Sequence, residues 1–334
     1  MTERFLKDTG ARIPLICGAM YPCSNTELLS AVVKEGAVAV MQPLSTVFAN
    51  GEDLRETLQA VQKVNDGGCL GFNALIEKSS KLYEDRMKSW VDIALEEGVR
   101  FFVSALGNPS WVVDKVHAVG GVVYHDITER KWALKAIEGG VDGLICVNGR
   151  AGGHAGAMPM DELYESLFDL GLPLVAAGGV GSPQDFLDAL EIGYEAVQLG
   201  TRFIASEECT AHEEYKQAIV DAEEDDIVLT RRISGVPVSV IETDFVKKVG
   251  TEVGPISKKL LKHPRFKHWV RTWYAARSVW SLRKGAKRGG GYNDYWQAGR
   301  SVAGIDSVQS VETIISEYAE ALAGAPEAKT EAKA

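Results

Sequence analysis

Residues 173–200 read PLVAAGGVGSPQDFLDALEIGYEAVQLG, and this stretch contains the unit from which the fold can be predicted. Two short apolar runs, 173–177 and 196–200, flank an amphipathic segment that ends in Gly, as helices often do. Runs that are apolar throughout are typical of strands buried on both faces, which implies parallel pairing. The stretch therefore predicts a strand, a helix and a second, parallel strand.

The same alternation extends through the preceding part of the chain. Six further apolar runs, each followed by a helical pattern, lie at 13–18, 37–41, 69–73, 100–105, 121–125 and 143–147. Eight such units in about 200 residues match the usual size of a (β/α)8 TIM barrel, so we predict an α/β chain with this fold. An open, doubly wound sheet is the alternative architecture.

The alternation stops after residue 210. Residues 211–300 are expected to form a mostly helical insertion after the eighth strand, which includes an extended piece (230–245) and a basic, Trp-rich segment (260–291). An amphipathic helix over 306–322 is expected to complete the barrel wall. We therefore predict a barrel domain of residues 1–210 with 301–323, a helical lid or substrate domain of 211–300, and a disordered tail of 324–334.

Composition and charge exclude several classes of function. The 334 residues carry a formal net charge of −10, which argues against general nucleic-acid binding. No stretch is apolar for long enough to span a bilayer, and the first ten residues lack the apolar core of a signal peptide. The five cysteines form no CxxC pair, which is typical of reduced thiols. We expect a cytoplasmic protein without nucleic-acid or membrane partners, and a homodimer is one of the open oligomeric states.

Glycines follow the seventh and eighth strands, at the barrel end where function is expected. The seventh run leads into Gly178, Gly179 and Gly181 before a helix, and the eighth leads into Gly200 and Thr201. Backbone N–H groups can approach an anion closely at such positions, so the two loops predict a shared phosphate site. The alternative is that the glycines only form tight turns. No GxGxxG follows the first strand and no Gly-Lys-Ser/Thr occurs here, so other nucleotide motifs are poorly supported.

The loop after the sixth strand reads NGRAGGHAGA (148–157). Gly152 and Gly153 remove side chains where a flat group could approach the backbone. His154 then projects from the mouth, where an imidazole suits general acid/base chemistry near neutral pH. A surface histidine without a role is the alternative. His125, the other histidine at a strand end, lacks companions at ligand spacing, so no metal site is predicted.

Other strand ends supply further candidates. Met20 follows the first strand, Asn73 the third, and His125 with Asp126 the fifth. Asn73 could hydrogen-bond the edge of a heterocycle, and a turn residue is the equally supported alternative. Asp126 could be a helix N-cap.

The segments AGGHAG, LPLVAAGGVGSPQDFLDALEIGYEAVQLGTRFIASEEC and YWQAGRSVAGI together resemble the nitronate monooxygenase family, formerly called 2-nitropropane dioxygenases. Flavin-dependent enoyl-ACP reductases and a group of NADH:quinone reductases belong to the same superfamily. The resemblance covers roughly residues 10–322 and is strong from about 120 to 216. It is specific to the superfamily and much less specific to one reaction.

The resemblance implies a TIM barrel with non-covalently bound FMN. The FMN phosphate would lie on the loops of Gly178 and Gly179 and of Gly200 and Thr201. His154 matches the histidine that acts as catalytic base or orients the substrate. The remaining positions that the resemblance assigns to the flavin ring are Ala19, Met20, Asn73, Gly152, Gly153 and Gln198.

Three departures from the family pattern concern the substrate side. Relatives commonly carry Gln-Gly-x-Glu before the Gly-Gly-His motif, where this chain has VNGR, so Arg150 replaces an acid and could attract an anion. Many relatives place Lys or another polar residue at the end of the fifth strand to reach the flavin. This chain has His125 and Asp126 there, and His125 is expected to take over that contact unless the alignment is shifted by one residue. The first strand lacks the usual proline but retains Met20.

The resemblance implies an FMN-dependent nitronate monooxygenase, which converts an alkyl nitronate or nitroalkane and O2 into a carbonyl compound and nitrite. One alternative is an NAD(P)H-dependent reductase that delivers a hydride through FMN to an enoyl thioester or a quinone. A second alternative is a flavin-binding barrel without catalysis of its own.

Overall fold

The computed structural model describes residues 2–77, 80–233, 236–252 and 295–325. Within these residues eight parallel strands follow one another around a closed barrel, and the eighth pairs with the first. This closure confirms the predicted (β/α)8 barrel and excludes the open sheet. The barrel strands are β1 (Leu15–Cys17), β2 (Val38–Met41), β3 (Cys69–Ile76), β4 (Phe101–Leu106), β5 (Val122–Ile127), β6 (Gly143–Val147), β7 (Leu174–Ala177) and β8 (Ala196–Leu199).

A helix follows each strand of the barrel, after a π-helical turn (Ser45–Asn50) in the case of β2. Local sequence explains where such helices begin: Ser182 and Asp185 form a reciprocal capping box, with Pro183 at the first helical position. The helices before and between the strands are α1 (Glu3–Thr9), α2 (Thr26–Lys34), α3 (Leu54–Lys63), α4 (Lys81–Glu96), α5 (Ser110–His117), α6 (Arg130–Glu138), α7 (Met160–Glu165) and α8 (Pro183–Ile192).

The chain after β8 forms the short helix α9 (Thr201–Ile204), and the wall is completed by the C-terminal helix α12 (Val311–Gly324). The α12 helix packs against α8 and α2. The rings of Phe186 and Tyr318 lie 5.6 Å apart at the α8 contact. The predicted wall helix is therefore present, although it begins at Val311 rather than at 306, after a 3-10 turn (Arg300–Gly304).

The insertion contains more than helix. Its described part has α10 (Glu213–Asp221), a 3-10 turn (Glu224–Asp226), strands β9 (Ile227–Thr230) and β10 (Val238–Ile241), and α11 (Asp244–Val249). The two strands pair antiparallel, and β10 lies within the piece that was expected to be extended. The basic, Trp-rich segment and the predicted tail from residue 326 onward lie outside the described residues. None of the described helices is long and apolar enough to cross a membrane.

The barrel interior and the barrel wall are separate apolar clusters. Alternate residues of each strand face inward, and the bottom of the barrel is filled by Phe5 of α1, which packs edge-on against Phe101 and Tyr124. The Tyr124 hydroxyl donates to Asp8 Oδ2 at 3.0 Å. The inward-facing strand residues of this cluster are Ile16, Val38, Val40, Phe101, Val103, Tyr124, Ile145, Val175, Ala177 and Ala196.

Candidate functional site

The alternation of the strands places polar side chains inside the barrel near its C-terminal mouth. Asn73 lies two residues beyond Gly71 on the inward face of β3 and is 5% exposed. Gln198 lies two residues beyond the inward-facing Ala196 of β8. A Cβ atom on Gly18 would lie 3.0 Å from Gln198 Cδ, so Gln198 packs beside the end of β1. Both residues therefore lie in the barrel interior near its mouth.

His125 has a different position from the one expected. Its register partners are Ser104 on β4 and Leu144 on β6, and Leu144 belongs to the cluster outside the barrel. A hydrogen bond of 2.8 Å joins His125 Nδ1 to Ser104 Oγ, and burial lowers the pKa of His125 to about 4. His125 is therefore a neutral imidazole on the outer face of β5. His125 was expected to contact a flavin, but a residue that makes this contact would have to face the barrel interior.

Asp126 faces the interior in its place. It lies two residues after Tyr124 on β5 and pairs in register with Ile145, and both of those residues belong to the interior cluster. Asp126 Oδ1 is sealed from solvent and has no hydrogen-bond partner among the described residues. Burial raises the pKa of Asp126 to about 7. Asp126 is thus not a helix N-cap. Its carboxyl lies in the barrel interior near the mouth.

The loop after β7 has little room for side chains. Gly178 and Gly179 both have positive φ, 109° and 81°. A Cβ on Gly178 would lie 2.5 Å from the backbone nitrogen of Ala151, and one on Gly179 would lie 2.7 Å from Arg150 Nε. Glycine is required here both by backbone conformation and by the close approach of the loop after β6.

Backbone N–H groups at the ends of β7 and β8 lack acceptors. Asp185 Oδ2 accepts the N–H groups of Gly181 and Ser182. The N–H groups of Gly179, Gly200 and Thr201, by contrast, have no hydrogen-bond acceptor among the described residues. Because β7 and β8 are neighbours, these donors belong to adjacent loops. Such a set of unpaired donors is suited to an anion such as a phosphate.

Met20 reaches the loop after β8 from the end of β1. A Cβ on Gly200 would lie 3.6 Å from Met20 Sδ, which is ordinary contact. The Met20 N–H donates to Ser24 Oγ at 2.9 Å, and the Met20 carbonyl accepts from Ser45 Oγ at 2.9 Å. Ala19 and Met20 are each partly exposed, so this fixed loop lines the mouth at the first strand.

The glycines of the loop after β6 approach the chain itself. A Cβ on Gly152 would lie 2.9 Å from the backbone nitrogen of Gly299, and that Gly299 N–H donates to Thr201 Oγ1 at 3.0 Å. Gly153 has φ of 66°, and its carbonyl accepts from the Ser239 N–H of β10 at 2.8 Å. Gly152 and Gly153 thus join the loop to the insertion and to the segment after it, a reason that the sequence did not reveal.

Asn148 holds this loop together, although no sequence motif marked it. Its side chain is fully buried, donates to the Gly178 carbonyl at 2.8 Å and accepts the Arg150 N–H at 2.8 Å. It therefore fixes the loop after β6 against the loop after β7. Its position directly after a strand was the one signal that could have identified it.

His154 projects from the loop that Asn148 fixes and is exposed at the mouth. Desolvation by the surrounding chain lowers its pKa below the ordinary value. A lowered pKa favours the neutral imidazole, which can accept a proton. Position and protonation both suit the role of a base.

Arg150 is committed to an ion pair. Its guanidinium contacts both carboxylate oxygens of Glu224, at 3.1 and 3.0 Å, and Arg300 reaches the same carboxylate at 3.3 Å. Arg150 therefore connects the barrel to the insertion beside a groove that includes Met160 and Ile192. Its nearest anion is Glu224, and no group of three or more potential metal ligands occurs among the described residues.

Comparison with known proteins decides the family. Residues 3–320 match the family model described as nitronate monooxygenase. The chain belongs to this family. Membership and the similarity to curated proteins named as a dehydrogenase and a probable nitronate monooxygenase favour an oxidoreductase over a barrel without catalysis.

Among curated proteins, this nitronate monooxygenase family member resembles the (3aS,4S,5R,7aS)-5-hydroxy-7a-methyl-1-oxo-octahydro-1H-indene-4-carboxyl-CoA dehydrogenases of Mycobacterium tuberculosis and Rhodococcus jostii. The identities are 28% and 32%, over 72% of this chain in each case and over 66% and 65% of the relatives. The matches thus span slightly less than two thirds of those relatives' own length. A probable nitronate monooxygenase of Staphylococcus saprophyticus is 29% identical over half of each chain.

Solved structures of similar fold include FabK from Thermotoga maritima, with a TM-score of 0.78 and 25% identity over 96% of this chain and 97% of that one. Nitroalkane oxidase from Streptomyces ansochromogenes has a TM-score of 0.72 at 19% identity, over 96% of this chain and 99% of that one, and supports the fold alone. One barrel fold thus occurs in proteins with different names.

Proposed function

We propose that this chain is an FMN-dependent nitronate monooxygenase that converts an alkyl nitronate and O2 into a carbonyl compound and nitrite. The observation that carries the proposal is the match of residues 3–320 to the nitronate monooxygenase family. The position of His154 at the mouth and its lowered pKa support the assignment of a base. The absence of a disulfide among the five cysteines supports a cytoplasmic location.

The residues of the mouth fit a flavin mononucleotide. The unpaired N–H groups of Gly179, Gly200 and Thr201 would hold its phosphate. Asn73 and Gln198, inside the barrel, would offer amide groups to the ring, and Met20 would contact it from the first strand. Bound FMN would supply the redox chemistry, taking electrons from the substrate and passing them to O2.

The protein itself would manage the substrate proton and its position. His154 would orient the anionic nitronate, or accept the α-proton when the neutral nitroalkane is the substrate. Asn148 would keep His154 in place, since it fixes the loop to the neighbouring one. Arg150 would act through the ion pair with Glu224, by holding the insertion against the mouth, rather than by binding substrate.

A second candidate is an NAD(P)H-dependent FMN reductase that acts on an acyl thioester. The observation that favours it is the similarity to two carboxyl-CoA dehydrogenases and to FabK, which spans more of this chain than the similarity to the probable nitronate monooxygenases. The same FMN-binding residues would serve both reactions.

Anaerobic reduction of the bound flavin separates the two candidates. Protein loaded with FMN is mixed without oxygen with propionate 3-nitronate, NADH or NADPH, and the flavin absorbance is followed. We expect rapid bleaching by the nitronate, slow or no bleaching by either nicotinamide, and nitrite release when O2 is admitted. Rapid bleaching by a nicotinamide and none by the nitronate would establish the reductase instead.

A further inference from the structure

One buried polar group inside the barrel is left without a hydrogen bond by the fold. It is the carboxyl of Asp126, one residue before the end of β5. Its side chain is on the inner face of the strand, because Tyr124, two residues earlier, and the register partner Ile145 both belong to the interior cluster. The carboxyl therefore points into the barrel near the mouth.

The surroundings of this carboxyl show where it can be reached. His125 and Ile127, on either side of Asp126 along the strand, are buried under the wall, 6% and 1% exposed. Asp126 nevertheless keeps a partly accessible side chain while its Oδ1 is sealed. Since the outer face is closed, the accessible part opens on the barrel interior, where a ligand at the mouth would lie.

No described group compensates this carboxyl. Burial is the cause of its raised pKa, with no charged neighbour opposing it. The titratable groups nearest along the strands are committed elsewhere: Tyr124 donates to Asp8, His125 bonds to Ser104 on the outer face, and Cys146 of β6 belongs to the outer cluster. A buried polar atom without a partner destabilises a protein. Packing of the chain alone therefore does not explain why this carboxyl is present.

We propose that Asp126 is a flavin-binding residue whose carboxyl hydrogen-bonds the pyrimidine edge of the ring. This inference rests on the flavin of the proposed function and assigns to Asp126 the contact that the family resemblance led us to expect from His125. The pyrimidine edge carries an N–H between two carbonyl groups. A protonated carboxyl has both a donor and an acceptor, so it can satisfy the N–H and one carbonyl together.

The residue type matters for the flavin as well as for its binding. A lysine at this position would offer only donors and a fixed positive charge. Asp126 offers no positive charge to the electron-rich reduced ring. The structure therefore assigns to this chain a flavin that is held by hydrogen bonding at the fifth strand rather than by a cation.

The test compares FMN affinity with the stability of the flavin-free protein. Flavin is removed from the full chain, FMN is titrated back while its fluorescence is followed, and thermal unfolding of the flavin-free protein is measured. Asp126→Ala should raise the Kd for FMN by about tenfold or more, which is the effect of losing one buried hydrogen bond. The same change should leave the unfolding temperature of the flavin-free protein equal or higher, because it removes an unsatisfied buried group.

Two further variants make the test specific. Asp126→Asn keeps a donor and an acceptor of nearly the same shape, so we expect a Kd near that of the parent. His125→Asn changes the adjacent residue on the outer face, and we expect no change in Kd. A merely structural role for Asp126 predicts instead that Asp126→Ala lowers the unfolding temperature without changing the affinity for FMN.

The outcomes separate this inference from the proposed function. If the parent binds FMN and Asp126→Ala binds it equally well, the role of Asp126 is overturned and the flavin assignment stands. Weakened binding in the Ala variant with recovery in the Asn variant supports the inference. If neither FMN nor FAD binds the parent protein, the proposed function itself fails.

Discussion

The two ends of the barrel differ in how completely the chain satisfies its own groups. At the bottom, Phe5 fills the opening against Phe101 and Tyr124, and the Tyr124 hydroxyl donates to Asp8. At the mouth, backbone N–H groups on two adjacent loops and one carboxyl oxygen have no partner among the described residues. The bottom is therefore complete by itself, while the mouth leaves polar groups that a ligand would satisfy.

Strand β5 contains the whole contrast within three residues. Tyr124 faces inward and is satisfied by α1, His125 faces outward and is satisfied by Ser104, and Asp126 faces inward near the mouth with an unpartnered oxygen. The same strand thus passes through three environments. Substitutions at the bottom of the barrel should therefore change stability, whereas substitutions at the mouth should change turnover or ligand binding.

The largest effect is expected at the mouth. His154→Ala should lower the turnover of the proposed reaction by roughly 10²–10⁴-fold, since a general base contributes about that much. FMN content and unfolding temperature should stay as in the parent, because His154 is exposed on a loop. Nitrite release measures turnover, and His117→Ala on the outer helix α5 is the matched control. Unchanged turnover in His154→Ala would remove the base from the mechanism.

At the bottom, Phe5→Ala should destabilise the protein by about 3–5 kcal/mol, the range for truncating a fully buried Phe. Guanidinium unfolding of the flavin-free protein measures this, with Lys7→Ala on the exposed side of α1 as control. The amount of FMN bound at low temperature should not change. A loss of FMN binding without a loss of stability would contradict the division between the two ends.

The outer face of β5 predicts a dependence of stability on pH. The pKa of His125 is about 4 in the fold and about 6.5 in an unfolded chain, so the unfolded state alone binds this proton between those pH values. Stability from this group is complete above pH 6.5 and is lost as the pH falls toward 4, by about 3 kcal/mol.

A variant isolates this contribution. His125→Asn should remove the loss while keeping a hydrogen bond to Ser104, so urea unfolding at pH 6.5 and pH 4 should show the parent losing about 3 kcal/mol more than the variant. The comparison is needed because Asp126, with its pKa raised to about 7, contributes in the opposite sense as the pH falls. Equal losses in the two proteins would show that His125 is not buried neutral.

The smallest effect is expected for the ion pair at the rim of the mouth. Arg150 and Glu224 are both partly exposed, so Arg150→Gln should cost less than about 1 kcal/mol of stability. The KM for nitronate should change less than about fivefold, because Arg150 is held by Glu224 rather than by substrate. Steady-state kinetics checks this, and a much larger rise in KM would return Arg150 to the substrate site.

The sequence by itself determined the architecture and indicated the loops of the candidate site. Eight apolar runs with helical patterns between them were enough for the barrel, and the glycines at 178–179 and 200 marked the two loops whose N–H groups are unpaired. These features are local, because periodicity and glycine conformation depend on residues close in the chain.

Only the tertiary structure decided which side chains enter the mouth. The run at 121–125 is apolar and buried on both faces, so its sequence shows no alternation of polar and apolar residues. Whether His125 or Asp126 faces inward is decided by how β5 pairs with β4 and β6 in the closed barrel. Likewise, Gly152 contacts Gly299 and Arg150 contacts Glu224, partners far along the chain that become neighbours only when the insertion folds onto the mouth.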